Sequence, residues 1–145
     1  MQKHKKINLE FVNEEFSFDE EKKTTKCTLT FKPHFKEFAE FYGRPSDDVL
    51  SQSPKKFARL IDVFNNDEFT VSGVAVCAKD DVFDRELGVK IAQHRARMRA
   101  EKKYNSWLNL YFDFWFEIYY SFAKSMRLSQ MALVEYLKKE KEIRN

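Results

Sequence analysis

Asp113 and Glu117 stand four residues apart in the stretch YNSWLNLYFDFWFEIYYSF, residues 104–122, which is one helical turn. Two carboxylates on one helix face can pass a proton or hold a divalent cation. Either task needs a third ligand, a nearby histidine or a Gly-rich loop, and the sequence places none beside them. The pair is therefore expected to lie on a solvated polar stripe. His94 sits among Arg95, Arg97 and Arg99, a setting expected for an exposed or hydrogen-bonded histidine and not for a catalyst. Cys27 and Cys77 are fifty residues apart, with no Cys or His at zinc spacing around either. Both are expected to be reduced thiols half-buried in strands, a bridge joining the two strands being the alternative. The sequence also lacks a nucleophile elbow and a phosphate-cradling loop. No catalytic residue, metal ligand or cofactor is expected, and the chain is read as a non-enzyme.

Other residues suit binding. Arg95, Arg97, Arg99, Lys102 and Lys103 cluster in one predicted helix with Glu101 as the nearby acid. Such a row can contact phosphates, because Lys and Arg displacing counterions supply most sequence-independent nucleic-acid affinity; it can equally meet an acidic protein, or simply be a solvated face. Glu14, Glu15, Asp19, Glu20 and Glu21 fall in a span of residues 10–21 without Lys or Arg. They are the counterpart candidates for a basic partner, the plain alternative being the outward side chains of a hairpin. A third signal lies in AKSMRLSQMALVEYLKK, where Ala123, Leu128, Ser129, Leu133, Tyr136 and Leu137 fit the spacing of a helix-turn-helix. Arg127 holds the turn position that favours Gly, so a terminal helix capped by Ser129 is the simpler expectation.

These groups need positioning elements. Ile7, Leu9 and Phe11, and again Cys27, Leu29 and Phe31, alternate with polar residues, predicting two strands. Phe16 and Phe18 extend the first, and Pro33 ends the second. Phe35, Phe38, Phe41 and Tyr42 predict a short helix closed by Gly43 and Pro45. Ser46 to Leu50 predicts a further turn. Ser53 and Pro54 are expected to open a helix carrying Phe57, Leu60, Ile61 and Phe64, ending at Asn65 and Asn66. Phe69, Val71, Val74, Val76 and Cys77 predict a third strand, with a bulge at Gly73. Asp80 or Asp81 is expected to cap the next helix. From there to the C-terminus the pattern is helical, with breaks expected near Asn105 and near Arg127 and Leu128. The expected fold is a single α+β domain over residues 1–145: an antiparallel sheet of about three strands packed against several helices, with a long aromatic-rich central helix.

Ten of the nineteen residues in 104–122 are aromatic, whereas Asn105, Asn109, Asp113, Glu117 and Ser121 form one narrow polar stripe. Such a helix must be covered nearly all round. It is expected either to run through the core, or to leave a face bearing Trp107, Tyr111, Trp115 and Tyr119 for a second copy or a partner protein. It is not expected to cross a membrane, because Asp113 and Glu117 would lie near the centre of the span.

In VSGVAVCAKDDVFDRELGVKIAQHRARMRA, the order Gly73, Ala75, Cys77, Asp81, Phe83, Gly88, Ala92, Arg95 and Ala96 resembles a strand-to-helix segment of small phage and prophage accessory proteins. The resemblance covers about a fifth of the chain. It implies an inhibitor of the anti-defence or anti-CRISPR kind, one that binds a host protein such as a defence nuclease or its guide complex without doing chemistry. Within the same segment Ala92, Ala96 and Ala100 make a shallow stripe that lets the helix sit close to a neighbour, and close packing is the expected reason for Gly88. Composition limits the alternatives little. The 145 residues carry 43% hydrophobic and 34% charged side chains, enough for a packed core, and a net charge of +3 does not by itself require a polyanion. The first residues, MQKHKKINLEF, have no apolar run of signal-peptide length, so export is not expected; with the resemblance, this implies a place in the cytoplasm of a bacterial host cell.

Overall fold

In the computed structural model, which describes residues 9–145 apart from the side chain of Phe38, the alternating segments pair as expected. Ile7, expected in the first strand, and the side chain of Phe38, expected on the face of the first helix, lie outside the described residues. Strand β1 (Glu10–Asp19) pairs antiparallel with β2 (Thr24–Lys32), and β2 with β3 (Phe69–Val76), giving the order β1-β2-β3. Between β2 and β3 lie α1 (Phe35–Tyr42), α2 (Asp47–Gln52), a 3-10 turn (Lys55–Phe57) and α3 (Ala58–Asn65). A single helix α4 (Arg85–Arg144) follows β3. The fold is α+β.

Local chemistry explains most boundaries. The hairpin has no Asn-Gly pair; instead the Asp19 carboxylate accepts from Lys22 N, and Lys23 takes a left-handed φ of 50°. Gly43 closes α1 at φ 92°, its N–H bonding Ala39 O, where a side chain would be strained. Ser46 caps α2 by accepting from Val49 N.

Four expectations need correction. Ser53 does not open α3: its hydroxyl donates to Val49 O and closes α2, so the chain enters α3 through the 3-10 turn. The bulge lies in β1 between Phe11 and Asn13, not at Gly73, whose pairing with Cys27 is regular. Asp84, not Asp80 or Asp81, caps α4 by accepting from Leu87 N. No break occurs at Asn105 or at Arg127 and Leu128. Both sites keep their backbone N–H groups, and no Gly follows Gly88 and no Pro follows Pro54 to interrupt the ladder. The continuous helix also removes the turn that a helix-turn-helix requires.

The chain forms two compact units that divide between Asn109 and Leu110. In the first, Cys27, Leu29 and Phe31 on β2 lie buried with Phe35, Leu50, Phe57, Leu60, Val63 and Phe64. Ala92, Ala96 and Ala100 are fully buried, and their small size lets α4 approach the sheet closely. Gly73 marks the contact: a Cβ there would overlap the backbone of Ala92, Arg95 and Ala96. Gly88 does the same against the buried Thr25 side chain. Cys27 is buried and Cys77 half-buried, and both are free thiols. Burial, reinforced by the Glu14 charge, raises the Cys27 thiol above its ordinary pKa despite the opposing Arg97 charge.

Candidate functional site

The basic candidates lie on α4, but most are turned to the sheet. Arg95 donates to Val74 O and Arg99 to Ser72 O, each at 2.6 Å, so both occupy carbonyls of the edge strand β3. Occupied edge carbonyls are not open to strand addition. On the opposite edge, Arg97 pairs with Glu14 at 2.7 Å and stacks over the Phe11 ring. Lys103 lies over the rings of Phe69 and Trp107. Among the described residues Lys102 alone of the five has no such partner. The five cations therefore come together on one helix, yet four serve to strap it to the first unit.

The acidic candidates divide similarly. Glu14 accepts from Arg97 and also from Gln93. Glu20 pairs with Arg85, Asp19 closes the hairpin turn and Glu15 accepts from Asn13. Glu21 is exposed. Burial acts to raise the Glu14 carboxyl, but the hydrogen bonds from Gln93 and Arg97 and the Arg97 charge outweigh it and leave the pKa lowered. A carboxylate whose folded pKa is depressed stabilises the fold above its unfolded pKa of about 4.3, and loses that contribution as pH falls through the folded value. Glu14→Gln is accordingly expected to cost roughly 1 kcal/mol at neutral pH, discounted for the exposure of Arg97. The difference from the wild type should vanish on acidification. Urea unfolding of both proteins across the acid range checks this, and a difference independent of pH would contradict the ion pair.

Residues that suggested chemistry stay apart. His94, Asp113 and Glu117 are exposed. Among the described residues no group of three or more His, Cys, Asp or Glu could hold a metal ion. A hollow of about 450 Å³ opens beside the end of β3 and the first turns of α4, lined among others by Thr25, Cys77, Asp81 and Gly88. The Cys77 thiol there is turned to Asp81 O and Val82 O. Lys23 Nζ donates to Lys79 O and Asp81 O, tying the same loop to the β1-β2 hairpin.

The aromatic helix departs most from expectation. Trp107, proposed for an oligomer interface, belongs to the core of the first unit, with its ring 4.7 Å from Phe69 and 6.2 Å from both Phe31 and Phe35. Tyr111 is also buried, Trp115 is half-buried and Tyr119 is 71% exposed. Beyond them the expected all-round cover is absent: Phe112, Phe116, Tyr120 and Phe122 are exposed, as are Met126, Leu128, Met131, Leu133, Val134, Tyr136 and Leu137. Phe114, 3% exposed, is the last buried residue of α4. Among the described residues no helix is long and apolar enough to cross a membrane, so this surface is not a membrane span.

Residues 112–137 thus form the most extensive exposed apolar feature of the second unit. The sequence assigns Leu133 and Leu137 to a helix-turn-helix and Met126 to no site, although the face they share with Phe112 and Phe122 could have been found from the placement of charges. Searches of protein-family models, curated proteins and solved structures find no match to this chain.

Proposed function

We propose that the chain is a non-enzymatic binding protein that acts by forming a stoichiometric complex, with the apolar face of α4 between Phe112 and Leu137 as its docking element. One observation carries this: large apolar side chains that a folded monomer would bury are exposed along one helix for seven turns. Contiguous apolar surface of this kind marks protein contacts, and aromatic residues dominate the cores of such contacts. The resemblance of residues 73–96 to phage accessory proteins supplies the setting. The partner is a host protein of the defence-nuclease class or its guide complex, inhibited by occupancy. A nucleic-acid role draws less support, because Arg95, Arg97, Arg99 and Lys103 are engaged within the chain.

The test is co-expression with a defence nuclease, followed by native mass spectrometry of the affinity-purified chain. The expected result is nuclease at a fixed ratio, lost when Phe116 and Tyr119 are changed to Glu. No nuclease with the wild type would overturn the partner class, and equal recovery with the variant would overturn the docking face.

A further inference from the structure

We infer that in the isolated protein this face is occupied by a second copy of the chain, the two helices pairing as an antiparallel coiled coil over residues 112–137. The inference rests on the docking face proposed above and names its occupant. With Phe112 as the first core position, the heptad places Phe, Trp, Tyr, Phe, Met, Ser, Leu and Tyr at 112, 115, 119, 122, 126, 129, 133 and 136. The flanking positions hold Phe116, Ile118, Ala123, Ser125, Gln130, Ala132 and Leu137. None of these core or flanking residues is ionised. Every charge in the span, namely Asp113, Glu117, Lys124, Arg127 and Glu135, falls at an outward heptad position. A face that excludes charge so completely suits an equally uncharged face, and a second copy supplies one.

Size and charge choose the orientation. Paired antiparallel about Lys124, Phe112 faces Tyr136, Trp115 faces Leu133, Phe122 faces Met126, and the large Tyr119 faces the small Ser129 of the second copy. A parallel pair would set Trp115 and Tyr119 against themselves and leave a gap between two Ser129 side chains, crowding one layer and underfilling another. Residues 110–123 hold two acids and no Lys or Arg, whereas residues 125–138, which lie beside them in the antiparallel pair, hold Arg127 and Lys138 against Glu135. Antiparallel pairing thus sets an acidic segment beside a mildly basic one, and the helix dipoles agree. The area is sufficient: Phe112, Phe116, Tyr119, Phe122 and Tyr136 are 56–72% exposed, on the order of 100 Å² each. Two copies together reach the roughly 1,000 Å² that a specific interface needs.

Sedimentation equilibrium of the purified chain at micromolar concentration is expected to give twice the 17.4 kDa chain mass. Changing Tyr119 and Phe122 together to Glu should weaken self-association by on the order of 100-fold and return the single-chain mass, with the far-ultraviolet helix signal of the first unit kept. Lys124→Ala, at an outward position, should leave the dimer unchanged. On a Cys77→Ser background, Phe112→Cys combined with Tyr136→Cys should form an intermolecular disulfide under air, whereas Phe112→Cys alone should not. A wild type at 17.4 kDa, or a double-Glu variant that still dimerises, overturns the pairing without touching nuclease recovery. Self-crosslinking of Phe112→Cys alone, or no crosslink in the double-Cys variant, overturns the antiparallel arrangement.

Discussion

Gly73→Ala is expected to destabilise the first unit by about 3 kcal/mol, the upper end of the usual cost of overpacking. The added Cβ would overlap Ala92 O, Ala96 N and the carbonyl carbon of Arg95. All three are backbone atoms, so no rotamer change relieves the overlap. Either β3 must move away from β2, to which Gly73 is paired through Cys27, or α4 must lift from the sheet. Lifting α4 would expose Ala92 and Ala96 and strain the bonds by which Arg95 and Arg99 hold the carbonyls of β3. Ser72→Ala is the control. It lies on the opposite face of β3, contributes only its backbone carbonyl to Arg99, and should change stability by less than about 0.5 kcal/mol. Urea unfolding followed by circular dichroism checks both, and an Ala variant as stable as the wild type would mean that α4 does not rest on Gly73.

Trp107→Ala is expected to cost about 3–5 kcal/mol, as for other large aromatic truncations in a core. Trp107 is 5% exposed and its ring contacts Phe31, Phe35 and Phe69, with Lys103 Nζ 5.6 Å from its centroid. Its removal leaves a cavity among side chains fixed on β2, β3 and α1, which cannot close without moving the backbone. Trp107→Phe should cost less, because a ring still fills the centre. Thermal unfolding of the two variants measures the difference. If Trp107→Ala left stability unchanged and abolished self-association, Trp107 would belong to an interface and not to this core.

Much of the first unit was legible because its signals are local. Alternation in Cys27, Leu29 and Phe31 specifies which face of β2 is buried, Pro33 and Gly43 punctuate the chain by backbone chemistry, and the alanines at 92, 96 and 100 announce a close helix contact. Gly73 showed why local signals mislead: a glycine in a strand signals either a bulge or an approaching backbone, and only the position of α4 decides between them. Ser53 posed the same ambiguity, since a hydroxyl can close one helix as well as open the next. The roles of Arg95 and Arg99 left no trace in the sequence, because their acceptors are main-chain carbonyls that every residue possesses. The aromatic helix was misjudged for a global reason. Its polar stripe of Asp113 and Glu117 was visible, but whether the remaining faces are covered depends on how much sheet and helix is left to cover them. The signal that was available is the exclusion of every charge between Phe112 and Leu137 from one heptad face.

Amide hydrogen exchange across α4 as a function of protein concentration tests the central claim, that in the isolated protein the apolar face of residues 112–137 is covered by a second copy of the chain, most directly. Protection of amides 112–137 is expected to rise with concentration, while that of Leu29 and Phe31 in the β2 core stays constant. Protection of both regions that does not vary with concentration would contradict it.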